Sequence, residues 1–219
     1  MRALVTGGTG QIGPAIAGRL ERDGWQVFAA GRADGDLRTA DGARTLVATA
    51  AQRLGGLELL VNAAGEGFVP KPVEEVDEAD WDAALGATAK GTFFVTQAAA
   101  PWLRDSRGVV VMIEDVAAYL PWPSFAAHCA AKAAQAMLTR VFARALAPEV
   151  RVCGIAPGPI VVSPDQVEHL AAGTLVGRVG TPEEIADAVV FLANSDFVTG
   201  TTLVVDGGFL LQSGRAALP

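Results

Sequence analysis

The chain has 219 residues, 51% of them apolar and 19% charged, with a net charge of −7. That fits one domain, 1–219, with a substantial core, and excludes a disordered chain. The acidic balance argues against a nucleic-acid partner, and no apolar run approaches the roughly 18 residues that span a bilayer. Two isolated cysteines, Cys129 and Cys153, make neither a disulfide framework nor a zinc site, and no signal-peptide layout precedes the first apolar run. A cytoplasmic protein with no membrane partner is expected.

The apolar run Ala3 to Val5 reads as a strand that stops at Thr6 and a cluster of four glycines. A helical pattern follows, with Ile12, Ile16 and Leu20 on one face and Pro14 near its start. Between strand and helix, Gly8, Gly10 and Gly13 form a Gly-x-Gly-x-x-Gly string. Glycines there allow a tight turn and a close backbone approach to a pyrophosphate, while the helix N-terminus offers unpaired N–H groups. Dinucleotide binding is the expectation, with Gly7, Thr9, Gln11, Ile12 and Gly13 around the phosphates; an ordinary strand-to-helix turn is the alternative.

Gly24 ends the helix, and Gln26 to Ala30 reads as a second strand leading to Gly31-Arg32. At this position a carboxylate accepts from the 2′-hydroxyl of an adenine ribose, whereas an arginine pairs with a 2′-phosphate. Arg32 favours NADP, with NAD as the alternative because Asp34 and Asp36 are close by. The stretch Arg32 to Leu37 has no room for a helix, so a third strand must be very short, around Asp36-Leu37, unless the sheet skips it. Asp41 to Leu54 fits a helix closed by Gly55. Leu57 to Val61 fits a strand followed by the small residues Asn62-Ala63-Ala64-Gly65.

From Asp80 a long helix pattern carries Trp81, Leu85, Phe93 and Phe94 towards Trp102. Val109 to Ile113 is a continuous apolar run, the signature of a strand buried on both faces, and it ends in Glu114-Asp115. An alanine-rich helix is expected from Ser124 to Ala147, and a strand from Arg151 to Ile155 before Ala156-Pro157-Gly158-Pro159. Thr181-Pro182-Glu183-Glu184 is a capping box, and Thr202 to Val205 is the last strand. The alternation predicts an α/β fold: a single doubly wound, Rossmann-type parallel sheet with helices on both faces, shortened after the second strand.

In order and spacing these pieces resemble the short-chain dehydrogenase/reductase family over essentially the whole chain. The matching residues are Thr6-Gly7…Gly13, Asp36-Leu37, Asn62 to Gly65, Lys132, Pro157-Gly158-Pro159-Ile160, and Val198-Thr199-Gly200…Asp206-Gly207-Gly208. The resemblance implies that Asp36 and Leu37 contact adenine and that Asn62, Ala63, Ala64 and Gly65 flank the cofactor. It further implies that Pro157, Gly158 and Ile160 meet the nicotinamide end, that the substrate is a small molecule, and that the protein forms a homodimer or homotetramer.

The family's chemistry rests on an asparagine, a serine and a tyrosine four residues before a lysine. Of these only Lys132 remains, for ribose binding; His128 stands at the tyrosine position, Asp115 at the serine and Thr88 at the asparagine. The single tyrosine, Tyr119, has no lysine four residues on, so the usual mechanism is not available. Residues four apart share a helix face, which turns His128 and Lys132 towards one pocket, with Asp115 approaching from the sheet. Histidine commonly changes charge near neutral pH, and a carboxylate can orient it as a general acid.

An aspartate at the serine position is similar to the pteridine reductase branch. Two readings compete: an NADP(H)-dependent oxidoreductase reducing a small carbonyl or imine, including a pterin, with Asp115, His128 and Lys132 as catalytic residues; or a catalytically inactive NADP(H)-binding regulatory or scaffold protein. The resemblance implies that the variable segment Ser163 to Val176 forms a lid over the substrate, short here, with Val161, Val162, Leu170 and Leu175 apolar and with His169 read as a surface residue. Phe68, Trp122 and Phe125 either line the pocket or pack in the core.

Overall fold

The computed structural model describes residues 1–65, 69–160 and 162–212. Phe68, read as either pocket or core, and Val161, beside the lid, lie outside the described residues. Among these, strands β1 (Arg2–Thr6), β2 (Gln26–Ala30), β3 (Leu59–Asn62), β4 (Val109–Ile113), β5 (Arg151–Pro157) and β6 (Thr202–Val205) form one parallel sheet in the order β2-β1-β3-β4-β5-β6. The helices are α1 (Gly13–Arg22), α2 (Ala40–Leu54), α3 (Glu78–Leu85), α4 (Thr92–Ser106), α5 (Ala126–Ala145), α6 (Val167–Ala172), α7 (Pro182–Ala193) and α8 (Phe209–Gln212).

Strand alternation sorts the apolar residues into two cores. Leu4, Leu60, Val110, Met112 and Val152 face α2, α4 and α5. Ala3, Val5, Leu59, Val61, Val109, Val111, Ile113, Cys153 and Ile155 face α1 and α7. β4 is buried along its whole length, as its continuous apolar run requires. The Thr181 capping box forms as expected, its hydroxyl accepting from the Glu184 N–H and the Glu184 carboxylate accepting from the Thr181 N–H.

The short third strand around Asp36-Leu37 does not form. Nine residues, Gly31 to Thr39, separate β2 from α2, too few for a crossover to a parallel neighbour, which takes about a dozen or more. Arg32–Asp34 closes a 3₁₀ turn instead, and β2 is the outer strand. The long helix expected from Asp80 begins at Glu78 and is interrupted: Gly86–Gly91 winds as one wide π turn between α3 and α4. The sheet order reverses between β1 and β3. At such a switch point the crevice beyond the strand ends is open to a ligand.

Candidate functional site

Thr6 joins the two strands at the switch point. Its hydroxyl donates to the Val61 carbonyl at 3.4 Å and accepts from the Ala63 and Ala64 N–H groups, both at 3.2 Å. The turn that follows is compact. The Gly8 N–H donates to Ala30 O at 2.8 Å and the Gly10 N–H to Gly7 O at 2.9 Å. Gly7 has a left-handed φ of 70°, and a Cβ on it would press on the Ala63 carbonyl. A Cβ on Gly13 would collide with the Gly7 carbonyl. Substitution at either position is therefore excluded by backbone, not by side chains. Helix α1 starts beyond this turn with no side-chain cap and with Pro14 in its first turn, which leaves the positive end of its dipole directed at the crevice.

A cavity of about 200 Å³ opens here, lined by Gly7, Thr9, Gly10, Ala30, Gly31, Arg32, Gly35, Asp36, Leu37, Arg38, Leu46, Ala64, Gly65 and Ala87. Of the residues expected around a dinucleotide, Gly7, Thr9, Arg32, Asp36, Leu37, Ala64 and Gly65 line it directly. Gly13 is buried behind the turn and Gln11 is exposed beside it, with Ile12 between them. Asn62 is buried, and its amide donates to Thr96 Oγ1 on α4 at 3.0 Å, so it anchors the strand end. A glycine-lined turn, an uncapped helix start and two arginines suit a phosphate-bearing dinucleotide, so the residues present fit the expected cofactor.

Arg38 is the charged residue of the lining that pattern reading missed, beside the small or apolar Ala30, Gly31, Gly35, Leu46 and Ala87. Its Nε donates to Asp36 Oδ1 at 2.9 Å and its Nη2 to Oδ2 at 2.9 Å, while its backbone N–H donates to Oδ1 at 3.0 Å. These bonds hold the Asp36 carboxyl down at about 2, with the Arg38 and Arg32 charges adding to the effect. Asp34 is turned away and accepts from the Gly31 N–H at 2.8 Å.

Further along the same strand ends, Asp115 caps the 3₁₀ turn Val116–Ala118, accepting from the Ala117 N–H at 2.8 Å through Oδ1. Its other oxygen, Oδ2, stands 3.4 Å from Nε2 of His128, in the first turn of α5. His128 is only 7% exposed. One turn on, Lys132 Nζ donates to Ile113 O at 3.0 Å, Glu114 O at 3.2 Å and Gln135 Oε1 at 3.2 Å. Three donors thus meet three acceptors. Burial pushes the Lys132 ammonium below its ordinary range, opposed by the charges of Asp115 and Glu114. Gln135 in turn donates to Thr92 Oγ1 of α4 at 3.1 Å. The structure therefore brings Asp115, His128 and Lys132 to one place. Thr88, buried on the π turn, faces Gly65: a Cβ there would lie 3.5 Å from its hydroxyl.

Pro157 ends β5, and the Gly158 N–H donates to Val205 O at 3.0 Å. Ile160 belongs to a second cavity with Pro159, Val176, Arg178 and Asp206 among its walls. His169 is exposed on α6, as a surface residue should be. Trp122 and Phe125 pack edge to face at 6.0 Å and line neither cavity. Cys129 and Cys153 are both free, and among the described residues no cluster of side chains could hold a metal ion. No helix among them is long and apolar enough to cross a membrane.

Residues 20–210 match the family described as enoyl-(acyl carrier protein) reductase. The chain is 33% identical to dehydrogenase/reductase SDR family member 4 of Bos taurus, over 95% of this chain and 86% of that protein. It is 30% identical to a glucose 1-dehydrogenase of Gluconobacter oxydans, over 96% and 92%. Among solved structures, a short-chain dehydrogenase/reductase of the glucose/ribitol dehydrogenase type from Brucella melitensis superposes with a TM-score of 0.85 at 30% identity, covering 95% of each chain.

Proposed function

The chain belongs to the short-chain dehydrogenase/reductase family, and from that premise we propose that it is an NADP(H)-dependent oxidoreductase reducing a small carbonyl or imine, with pterins as one candidate class. The observation that carries this reading is the 3.4 Å approach of Asp115 Oδ2 to His128 Nε2, one helical turn from Lys132. The dinucleotide, when bound, supplies the hydride. The chain's own residues supply the rest. The Ala117 N–H fixes one oxygen of Asp115, leaving the other to orient the imidazole. His128 then holds the proton that passes to the substrate heteroatom, and Asp115 stabilises the imidazolium before transfer. His128 is buried and Asp115 only partly exposed, so their coupling is stronger than that of a pair in open water.

Asp115 also bears on the substrate. A carboxylate accepts hydrogen bonds, so it suits a protonated ring or chain nitrogen better than a developing alkoxide. An aspartate at this position supports the imine and pterin arm by analogy with pteridine reductases. NADP over NAD is supported by the two arginines in the ribose end of the crevice. We further infer one domain over 1–219, a cytoplasmic location, and a homodimer or homotetramer; the exposed apolar pair Met137 and Val141 on α5, 53% and 47% exposed, supports the last.

A second reading, an inactive NADP(H)-binding regulatory or scaffold protein, draws on Lys132. With all three of its N–H groups on Ile113 O, Glu114 O and Gln135 Oε1, the ammonium must give up one partner to hold a ribose. The test is NADPH oxidation with a panel of pterins, cyclic imines and small carbonyl compounds. Turnover that falls in both Asp115→Asn and His128→Gln supports the enzyme. Tight NADPH binding with no turnover on any compound supports the second reading.

A further inference from the structure

We propose that Arg38 is a second specificity-determining arginine for the cofactor, forming with Arg32 a subsite for the 2′-phosphate, with Asp36 as the partner that holds it ready. The inference rests on the NADP(H) reading above and names the residues that would impose it.

Both arginines line the cavity at the end of β2 because the chain skips the third strand. The segment Gly35 to Arg38 folds straight back over the crevice and is seated on glycines. Gly42 of α2 lies against the Asp36 backbone, where a Cβ would collide. Gly91 lies against Leu37, and a Cβ on Gly86 would sit 3.3 Å from Arg38 Cγ. The stem of Arg38 is thus packed on the start of the π turn, beside Ala87 of the cavity wall. This loop is built into the fold from two sides.

Charge points the same way. The lining holds two arginines and one carboxylate, since Asp34 is turned to Gly31 and is not part of the wall. Asp36 engages Arg38 through both of its oxygens, along Nε and Nη2. That is the fork geometry by which arginine also grips a phosphate. A phosphate entering between Arg32 and Arg38 exchanges one bidentate anion for another of higher charge. An NADH ribose brings no anion to make that exchange, and it meets a carboxylate already engaged by Arg38.

The test is direct binding of NADPH and NADH, followed by nucleotide fluorescence, in the wild type, Arg38→Ala, Arg32→Ala and Asp36→Asn. Arg38→Ala is expected to weaken NADPH about tenfold or more, as loss of a charge-assisted bidentate contact does, with NADH unchanged within about twofold. Asp36→Asn is expected to tighten NADPH by removing the competing anion. NADH binding in each variant also reports that the fold is intact; for a variant that binds neither nucleotide, Arg38→Gln with a circular dichroism melt replaces it. An Arg38→Ala protein that keeps the wild-type preference overturns the assignment of Arg38 while leaving the NADP(H) reading in place. A wild type that prefers NADH overturns that reading and this site with it.

Discussion

The carboxyl group of Glu114 occupies the space that a side chain at position 154 would fill. Glu114 follows β4 and is 1% exposed. It lies across Gly154 of β5, where a Cβ would collide with its Oε1. It thereby reaches Thr202 of β6, whose hydroxyl donates to Oε2 at 3.0 Å, and Thr139 of α5, whose hydroxyl donates to Oε1 at 2.5 Å. Tyr119 donates to Oε2 at 3.4 Å. One buried carboxyl ties three adjacent strands to the helix that carries His128 and Lys132.

Gly154→Ala is expected to destabilise the protein by about 1–3 kcal/mol, the usual cost of forcing a methyl into a filled core. Urea unfolding of wild type and variant gives the comparison. A midpoint unchanged in Gly154→Ala means that Glu114 can move aside freely.

Burial pushes the Glu114 carboxyl above its ordinary value of 4.5, its three hydroxyl donors and the Lys132 charge opposing the shift. The fold then keeps a proton that the unfolded chain has released. Stability therefore falls as pH rises from the unfolded value through the folded one. Glu114→Gln, which accepts from Thr139 through Oε1 and donates to Thr202 through Nε2, escapes that loss. Its melting temperature relative to wild type is expected to rise between pH 4 and pH 7.5, and a difference independent of pH contradicts the assignment.

Asp115→Asn and His128→Gln are expected to reduce kcat on an accepted substrate by about 10²–10⁴, the range for loss of a general acid–base group. NADPH affinity should stay within about twofold, because in this reading both side chains serve the substrate's proton and only Lys132 holds the ribose. The double variant should lose no more than the worse single one if the pair acts as a unit. Additive losses in the double variant would separate their roles.

Lys132→Met removes the cation from Ile113 O, Glu114 O and Gln135 Oε1 and takes the ammonium donor from three buried acceptors. A destabilisation of about 1–3 kcal/mol per orphaned group is the expectation, together with weaker NADPH binding, read by calorimetric titration and thermal melts. Unchanged binding would mean that Lys132 serves the protein alone and never turns to the ribose, in favour of the inactive reading.

The exposed pair Met137 and Val141 is one turn apart on α5. Replacing both by aspartate should convert an oligomer into a monomer in light scattering, with secondary structure retained. A wild type that is already monomeric removes the oligomer proposal.

Local features of the fold were legible because their causes are local. Apolar runs the length of a strand, the Thr181 capping box and the glycine turn after β1 each depend on residues within a few positions. Gly7 and Gly13 read as glycines of necessity, and the backbone contacts at both agree. The approach of Asp115 to His128 was also legible, since a helix turn and a strand end leave little freedom in where the two side chains point.

Tertiary structure alone decided the rest. The spacing left a very short third strand and a skipped one both open, and the strand pairing, with β2 outermost, decided for the skip. Arg38 belongs to no motif, and only the fold places Gly86 beneath its stem and the crevice before it. In the sequence Glu114 marks only the end of an apolar run. Its burial exists only because Gly154 and Thr202, far along the chain, open a path across the sheet, and a carboxyl group buried among such distant partners leaves no local periodicity to find.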